Sequence, residues 1–251
     1  MNSEKMEAEF DVVADWTREA VEHLGDEHAI PAGCRGSASP SALAWLAEAL
    51  ELGPSTKLLD LGAGIGGPAA WAARRYGVRP VLVDPMEGAC RAAARLFGLP
   101  AIRADGLCVP LRTASIGTAW CLGVLCTVED KAALLAELHR VLTPGAHLGL
   151  LVLVARTPHL EPVPEGNFFP SQEELVSVLD KSGFAVEEQV DDPGDTPASW
   201  TKRSARVDEL IRERHEGEEA YSQEADQQHR LGQLLSTAQV SSQLLHAVRL
   251  D

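Results

Sequence analysis

The chain has 251 residues, 45% of them apolar, and a formal net charge of −15. That length and apolar content suit one large domain, or one domain with an added cap, around a full core. So acidic a surface repels a phosphate backbone and argues against a nucleic-acid partner, and the longest basic cluster, Lys202, Arg203 and Arg206, is short.

The first residues, MNSEKMEAEF, are acidic and show no apolar secretory stretch. The longest apolar run, 148–155, is too short to span a bilayer, so no membrane partner is expected. Cys34, Cys90, Cys108, Cys121 and Cys126 are scattered without metal-ligand spacing. Reduced thiols, a cytoplasmic location and no bound metal are therefore expected.

Residues 5–24 read as an acidic helix with Phe10, Val13, Trp16 and Val21 on an irregular apolar face. A Gly/Pro/Ser stretch follows, and Ser39-Pro40 then reads as N-cap and first residue of a second helix. From residue 57 strands and helices alternate. Strands are expected at 57–61, 80–83, 101–102, 118–124 and 147–154, with helices at 66–76, 86–97 and 130–142. Ser171 to Glu174 forms a capping-box pattern opening another helix, and a strand follows over 184–190. Residues 198–238 are polar and helix-prone, and 240–250 reads as a final strand. The alternation predicts an α/β, Rossmann-like, doubly wound and mostly parallel seven-stranded sheet with helices on both faces and a helical cap. The division expected is an N-terminal cap over 1–38, a core over 39–192, a helical lid over 193–238, and a last core strand over 239–251.

Leu58 to Gly67, LLDLGAGIGG, is the most informative segment. It describes a strand entering a glycine turn at a helix N-terminus, where bare backbone admits a ligand. Gly62, Gly64 and Gly67 give G-x-G-x-x-G, and Asp84 follows Gly64 at the distance of a ribose-gripping acid. Taken alone, these features allow a nicotinamide dinucleotide. Asp60 argues against one, because its charge is unwelcome beside a pyrophosphate but suits an ammonium or sulfonium. Asp105, before Gly106, adds an acid placed to accept from an exocyclic adenine amine.

With these motifs in order, the chain resembles class I S-adenosylmethionine-dependent methyltransferases, in the small-molecule branch of ubiquinone and sarcosine methyltransferases. LLDLGAGIGGPAAWAA is similar to the family's glycine motif, VLVDP to its ribose motif, ADGLCVPL to its adenine motif and WCLGVLCTVED to its fourth-strand motif. The resemblance implies that Asp60, Gly62, Ala63 and Gly64 lie under the methionine part. Asp84, Pro85 and Met86 would hold the ribose, Asp105 and Gly106 the adenine, and the backbone of Cys121 and Leu122 the methionine amine. The implied cofactor is S-adenosyl-L-methionine, with S-adenosyl-L-homocysteine as product, and the implied partner is a small-molecule methyl acceptor, met by a monomer or homodimer. Gly117 stands where the family often has an acid, and Cys126 near a position often held by histidine.

Methyl transfer from a sulfonium is chiefly a matter of alignment, so no universal catalytic residue is expected. His28 and His159 are the candidates for an acid–base role. Trp16, Arg35, Cys126, Phe168, Phe169, Trp200 and Tyr221 are candidates for the acceptor pocket, with packing of cap on core as the competing role for the aromatics. A member of the fold that transfers no methyl and a nicotinamide-linked oxidoreductase are the alternatives.

Overall fold

The structure is a computed structural model that describes residues 2–36 and 38–251. Met1 and Ser37, both in the segment expected as N-terminal cap, lie outside the described residues. Helix α1 (Asn2–Leu24) leads through a short 3-10 turn (Asp26–His28) into α2 (Ala29–Gly33) and α3 (Pro40–Ala49). Ser39 caps α3 by accepting from the Ala42 N–H at 3.1 Å, with Pro40 at the first helical position.

The sheet alternation follows: β1 (Lys57–Leu61), α4 (Gly67–Tyr76), β2 (Arg79–Asp84), α5 (Glu87–Phe97), β3 (Ala101–Arg103), β4 (Ile116–Leu122), α6 (Lys131–Val141), β5 (Leu142–Ala155), α7 (Gln172–Lys181), β6 (Phe184–Asp191), α8 (Ala198–His215), α9 (Glu219–Ser236) and β7 (Val240–Arg249). The strand order is β3-β2-β1-β4-β5-β7-β6. All pairs are parallel except those of β7, which runs antiparallel to both β5 and β6. The topology reverses between β1 and β4, and a crevice at the carboxyl ends of those strands is where open α/β sheets hold ligands.

Alternating side chains send β1 and β4 to two different cores. Leu59, Leu61, Ala119 and Cys121 pack with Leu134, Leu135 and Leu138 of α6 and Leu175 and Leu179 of α7. Leu58, Trp120 and Leu122 pack with Leu43, Leu46 and Leu50 of α3 and Ala70 and Ala72 of α4. A third cluster joins Trp16, Ala20 and Val21 of α1 to Ala29 and Ala32 of α2 and Val207, Leu210 and Ile211 of α8. Because β6 runs in the same direction as β5, the segment carrying α8 and α9 leaves from the carboxyl edge and returns to it.

The main departures from the sequence pattern fall at β4 and at the start of β5. The expected strand over 118–124 runs instead from Ile116 to Leu122, because Gly123 turns to φ +76° and leaves the sheet. The helix expected over 130–142 ends at Val141, and β5 starts at Leu142 instead of at residue 147, so Pro144 and Gly145 lie inside that strand. They sit where the β4–β5 register shifts, an irregularity that tolerates a missing backbone donor.

Candidate functional site

The apolar run of β1 delivers Asp60 to the carboxyl edge, and the next residues abandon the sheet in a bend that needs glycine. Gly62 and Gly64 have φ of +74° and +53°. A Cβ at Gly62 would strike Val124, whereas a Cβ at Gly64 would meet nothing within 4 Å. Gly64 therefore faces open space, as a backbone that receives a ligand must. Gly67, the third glycine of the motif, serves another purpose. A Cβ there would lie 2.7 Å from the Cys34 backbone N, so the turn after α2 packs directly on the first turn of α4.

Asp84 ends β2 almost fully buried. Its Oδ2 accepts from the Gly64 N–H at 2.7 Å and its Oδ1 from the Met86 N–H at 3.0 Å. One carboxylate thus fixes the glycine bend and also the chain through Pro85 and Met86 into α5. Asp60 is 2% exposed, and its Oδ2 has no hydrogen-bond partner among the described residues. Burial pushes its carboxyl up to about 7; the Trp120 indole partly counters this and the nearby Asp84 charge adds to it.

Asp105 is exposed after β3, its Oδ1 accepting from the Leu107 N–H at 2.8 Å. The turn it opens is pinned from α6. Glu137 accepts from the Val109 N–H at 2.6 Å, and Arg140 donates to the Val109 and Leu111 carbonyls at 2.8 and 2.9 Å. Arg140 also holds the Glu137 carboxyl below the usual range. Sequence reading missed this brace, since an i,i+3 Glu–Arg pair on a helix ordinarily reads as a solvated face. Gly106 is tight, a Cβ there falling 2.9 Å from Leu134. Cys121 and Leu122 are buried at the tip of β4.

A strap lies over this edge. Gly33 abuts Gly67, Cys34 is buried close enough to Asp60 for that charge to raise its thiol pKa further, and a Cβ at Gly123 would lie 3.0 Å from the Gly36 carbonyl. Ala63, buried at the start of the bend, packs with Ala69, Leu82 and Ala93.

The other candidates each have contacts of their own. For Arg35 the sequence offers two roles, an anchor for an anionic acceptor or cofactor carboxylate and a plain surface arginine. It is ion-paired with Asp208 of α8 and donates to Thr17 Oγ1 of α1 at 2.5 Å. Trp16 stacks on His215 with ring centroids 4.3 Å apart, and Tyr221 packs beside that cluster. Trp200 packs against the α3–α4 core and Phe169 against the α6–α7 core. Phe168 is exposed beneath the Lys131 ammonium, which stands 5.9 Å from its ring centroid. Cys126 is buried, its thiol 3.3 Å from the Gly123 carbonyl, and its own carbonyl accepts from the Phe168 N–H at 2.7 Å. His28 turns its Nδ1 to the Gly25 carbonyl at 3.2 Å. His159 is exposed in the loop after β5. His147 of β5 pairs with His246 of β7 at 2.8 Å. Among the described residues no group of three or more His, Cys, Asp or Glu is placed to hold a metal ion.

Residues 59–150 match the family model described as a methyltransferase domain. The match spans β1 to β5 and takes in Asp60, the glycine bend, Asp84, Asp105 and the tip of β4. Methyltransferase GfsG of Streptomyces halstedii is 32% identical over 119 residues, covering 44% of this chain and 42% of that protein. The alignment thus spans less than half the length of that relative. Among solved structures, the [4+2]-cyclase SpnF superposes with a TM-score of 0.67 at 21% identity, covering 83% of this chain and 79% of that one. A methyltransferase from Geobacter sulfurreducens, solved with S-adenosyl-L-homocysteine, gives a TM-score of 0.62 at 22% identity, covering 84% and 92%. The chain has the Rossmann-like methyltransferase fold. No helix among the described residues is long and apolar enough to cross a membrane.

Proposed function

We propose that this chain is an S-adenosylmethionine-dependent methyltransferase that methylates an N, O or C atom of a small molecule and releases S-adenosylhomocysteine. The observation that carries the reading is Asp60. A buried carboxyl with an unsatisfied oxygen is unfavourable by itself, and a ligand cation relieves it. A pyrophosphate at the same bend would meet repulsion instead, which disfavours a nicotinamide dinucleotide.

In this reading the bend of Gly62, Ala63 and Gly64 receives the methionine part, with Gly64 presenting its open backbone, and Asp60 with the Cys121 and Leu122 backbone holds its ammonium. Asp84, Pro85 and Met86 hold the ribose, and Asp105 and Gly106 take the adenine amine. When bound, the sulfonium supplies an activated methyl. What the chain's own residues contribute is position: the bend is fixed by Asp84, the adenine turn by Arg140, and the strap over Asp60 keeps water from the charged pair. The helices α1, α2, α8 and α9 form a cap around an enclosed acceptor, over a core of 39–192 and 239–251. Both the likeness of 59–150 to a methyltransferase domain and the relative in Streptomyces halstedii support this reading.

Calorimetric titration with S-adenosylhomocysteine tests the cofactor, and transfer of labelled methyl into a cell extract tests the reaction. A second reading, a catalyst that transfers no methyl, draws on the shared fold of the [4+2]-cyclase SpnF. Tight binding with no labelled product would favour it.

A further inference from the structure

Trp120 and Asp60 are an unsatisfied donor and an unsatisfied acceptor on adjacent strands. They are register partners in the parallel β1–β4 pair, so their side chains leave the sheet on the same face. Trp120 is fully buried, and its Nε1 has no hydrogen-bond partner among the described residues. A buried indole N–H ordinarily finds an acceptor, and so does a buried carboxyl oxygen a donor. The core that Trp120 joins is built largely of Leu and Ala, such as Leu58, Leu122 and Ala70, whose side chains offer no acceptor. Asp60 is the acid beside it.

We propose that Trp120 is a positioning residue of the cofactor site, its indole N–H donating to Asp60 when that carboxyl ionises against the ligand's cation. The inference rests on the cofactor reading above. On binding, the proton that Asp60 gives up passes to the buffer, and the carboxylate left behind faces the ammonium on one side and the indole N–H on the other. The other titratable groups close enough to couple to Asp60 are the Asp84 carboxylate on β2, the Cys121 thiol on the opposite face of β4 and the Cys34 thiol on the strap. Both thiols stay protonated, because burial raises them. None of the three supplies a positive charge, which leaves the indole as the protein's own stabiliser of the ionised form.

The test is calorimetric titration of the full chain with S-adenosylhomocysteine from pH 6 to 8.5. For the wild-type chain, affinity rises with pH and levels off above about 7, the value to which Asp60 is raised. Trp120→Phe removes the donor, raises the carboxyl further and shifts that levelling by about one pH unit upward. Asp60→Asn abolishes the pH dependence, and adding Trp120→Phe to it changes nothing more. An unshifted midpoint in Trp120→Phe, or an equal loss at every pH, overturns the proposal. If Trp120→Phe does not fold, the wild-type indole resonance decides. Its Nε1–H signal moves with the Asp60 titration and again on adding the ligand, and a signal indifferent to both overturns the proposal. Absence of binding by the wild-type chain at every pH overturns the cofactor reading instead, and the indole titration then decides the Trp120–Asp60 link by itself.

Discussion

Gly33 and Gly67 meet backbone to backbone: a Cβ built on Gly33 would stand 2.9 Å from the Gly67 Cα. The third glycine of the G-x-G-x-x-G motif is thus demanded by the strap after α2 and not by a ligand. Gly67→Ala forces a methyl into the Gly33–Cys34 backbone, which has no rotamer to move. Overpacking of this kind costs about 1–3 kcal/mol. Urea unfolding will show that loss, and S-adenosylhomocysteine binding will weaken with it as the strap lifts. Unaltered stability would mean that the two segments do not touch.

Asp84→Ala removes the acceptor for both the Gly64 and Met86 N–H groups. Cofactor affinity should fall about 10–100-fold, the equivalent of one or two charged hydrogen bonds. The ligand-free protein should also lose about 1–3 kcal/mol, because two backbone donors lose their partner. Calorimetry and thermal unfolding measured side by side check this. A variant as stable as the parent, with only affinity reduced, would limit Asp84 to the ligand.

Asp60 makes the ligand-free protein sensitive to pH. In the fold it holds its proton up to about 7, whereas the unperturbed group releases it near 3.8. Unfolding between those values releases a proton, so the stability present below pH 3.8 is lost as pH rises through 7. The amount is on the order of 4 kcal/mol. Asp60→Asn has no proton to lose, so unliganded Asp60→Asn should be more stable than the parent at pH 8, and the difference should shrink by pH 5. Parallel stability curves over that range would contradict the raised carboxyl.

Arg35 clasps the strap to α1 and α8 through Thr17 and Asp208. Exposed ion pairs contribute only about 0–1 kcal/mol, so Arg35→Gln should leave the global melting temperature nearly unchanged. Its effect should be local. Cys34 is buried under the strap with its thiol raised by burial, so in the parent it should resist alkylation while exposed Cys108 reacts. In Arg35→Gln, Cys34 should label several-fold faster by mass spectrometry. Equal labelling rates would dismiss the clasp.

Much of this molecule is local in origin. The β1 limits, the Ser39 and Ser171 caps and the order of strands and helices follow from alternation and capping chemistry, which act over a few residues. The departures at β4 and β5 had local signals that the pattern of apolar residues hides: Gly123 turns out of β4, and a register shift absorbs Pro144. Arg35, Trp16 and Tyr221 carry no local sign of their destination. Each looks like a mouth residue because it lies in a polar or capping segment, and each is consumed in joining α1, α2, α8 and α9.

From the sequence alone came the glycine bend, the spacing of Asp60, Asp84 and Asp105, and the class of fold, because backbone conformation and hydrophobic period are set by near neighbours. Only tertiary structure decided that Gly67 faces Gly33, that Arg140 braces the Asp105 turn, and that Trp120 stands beside Asp60. Those pairings join residues far apart in the chain, and parallel strand register with helix packing brings them together.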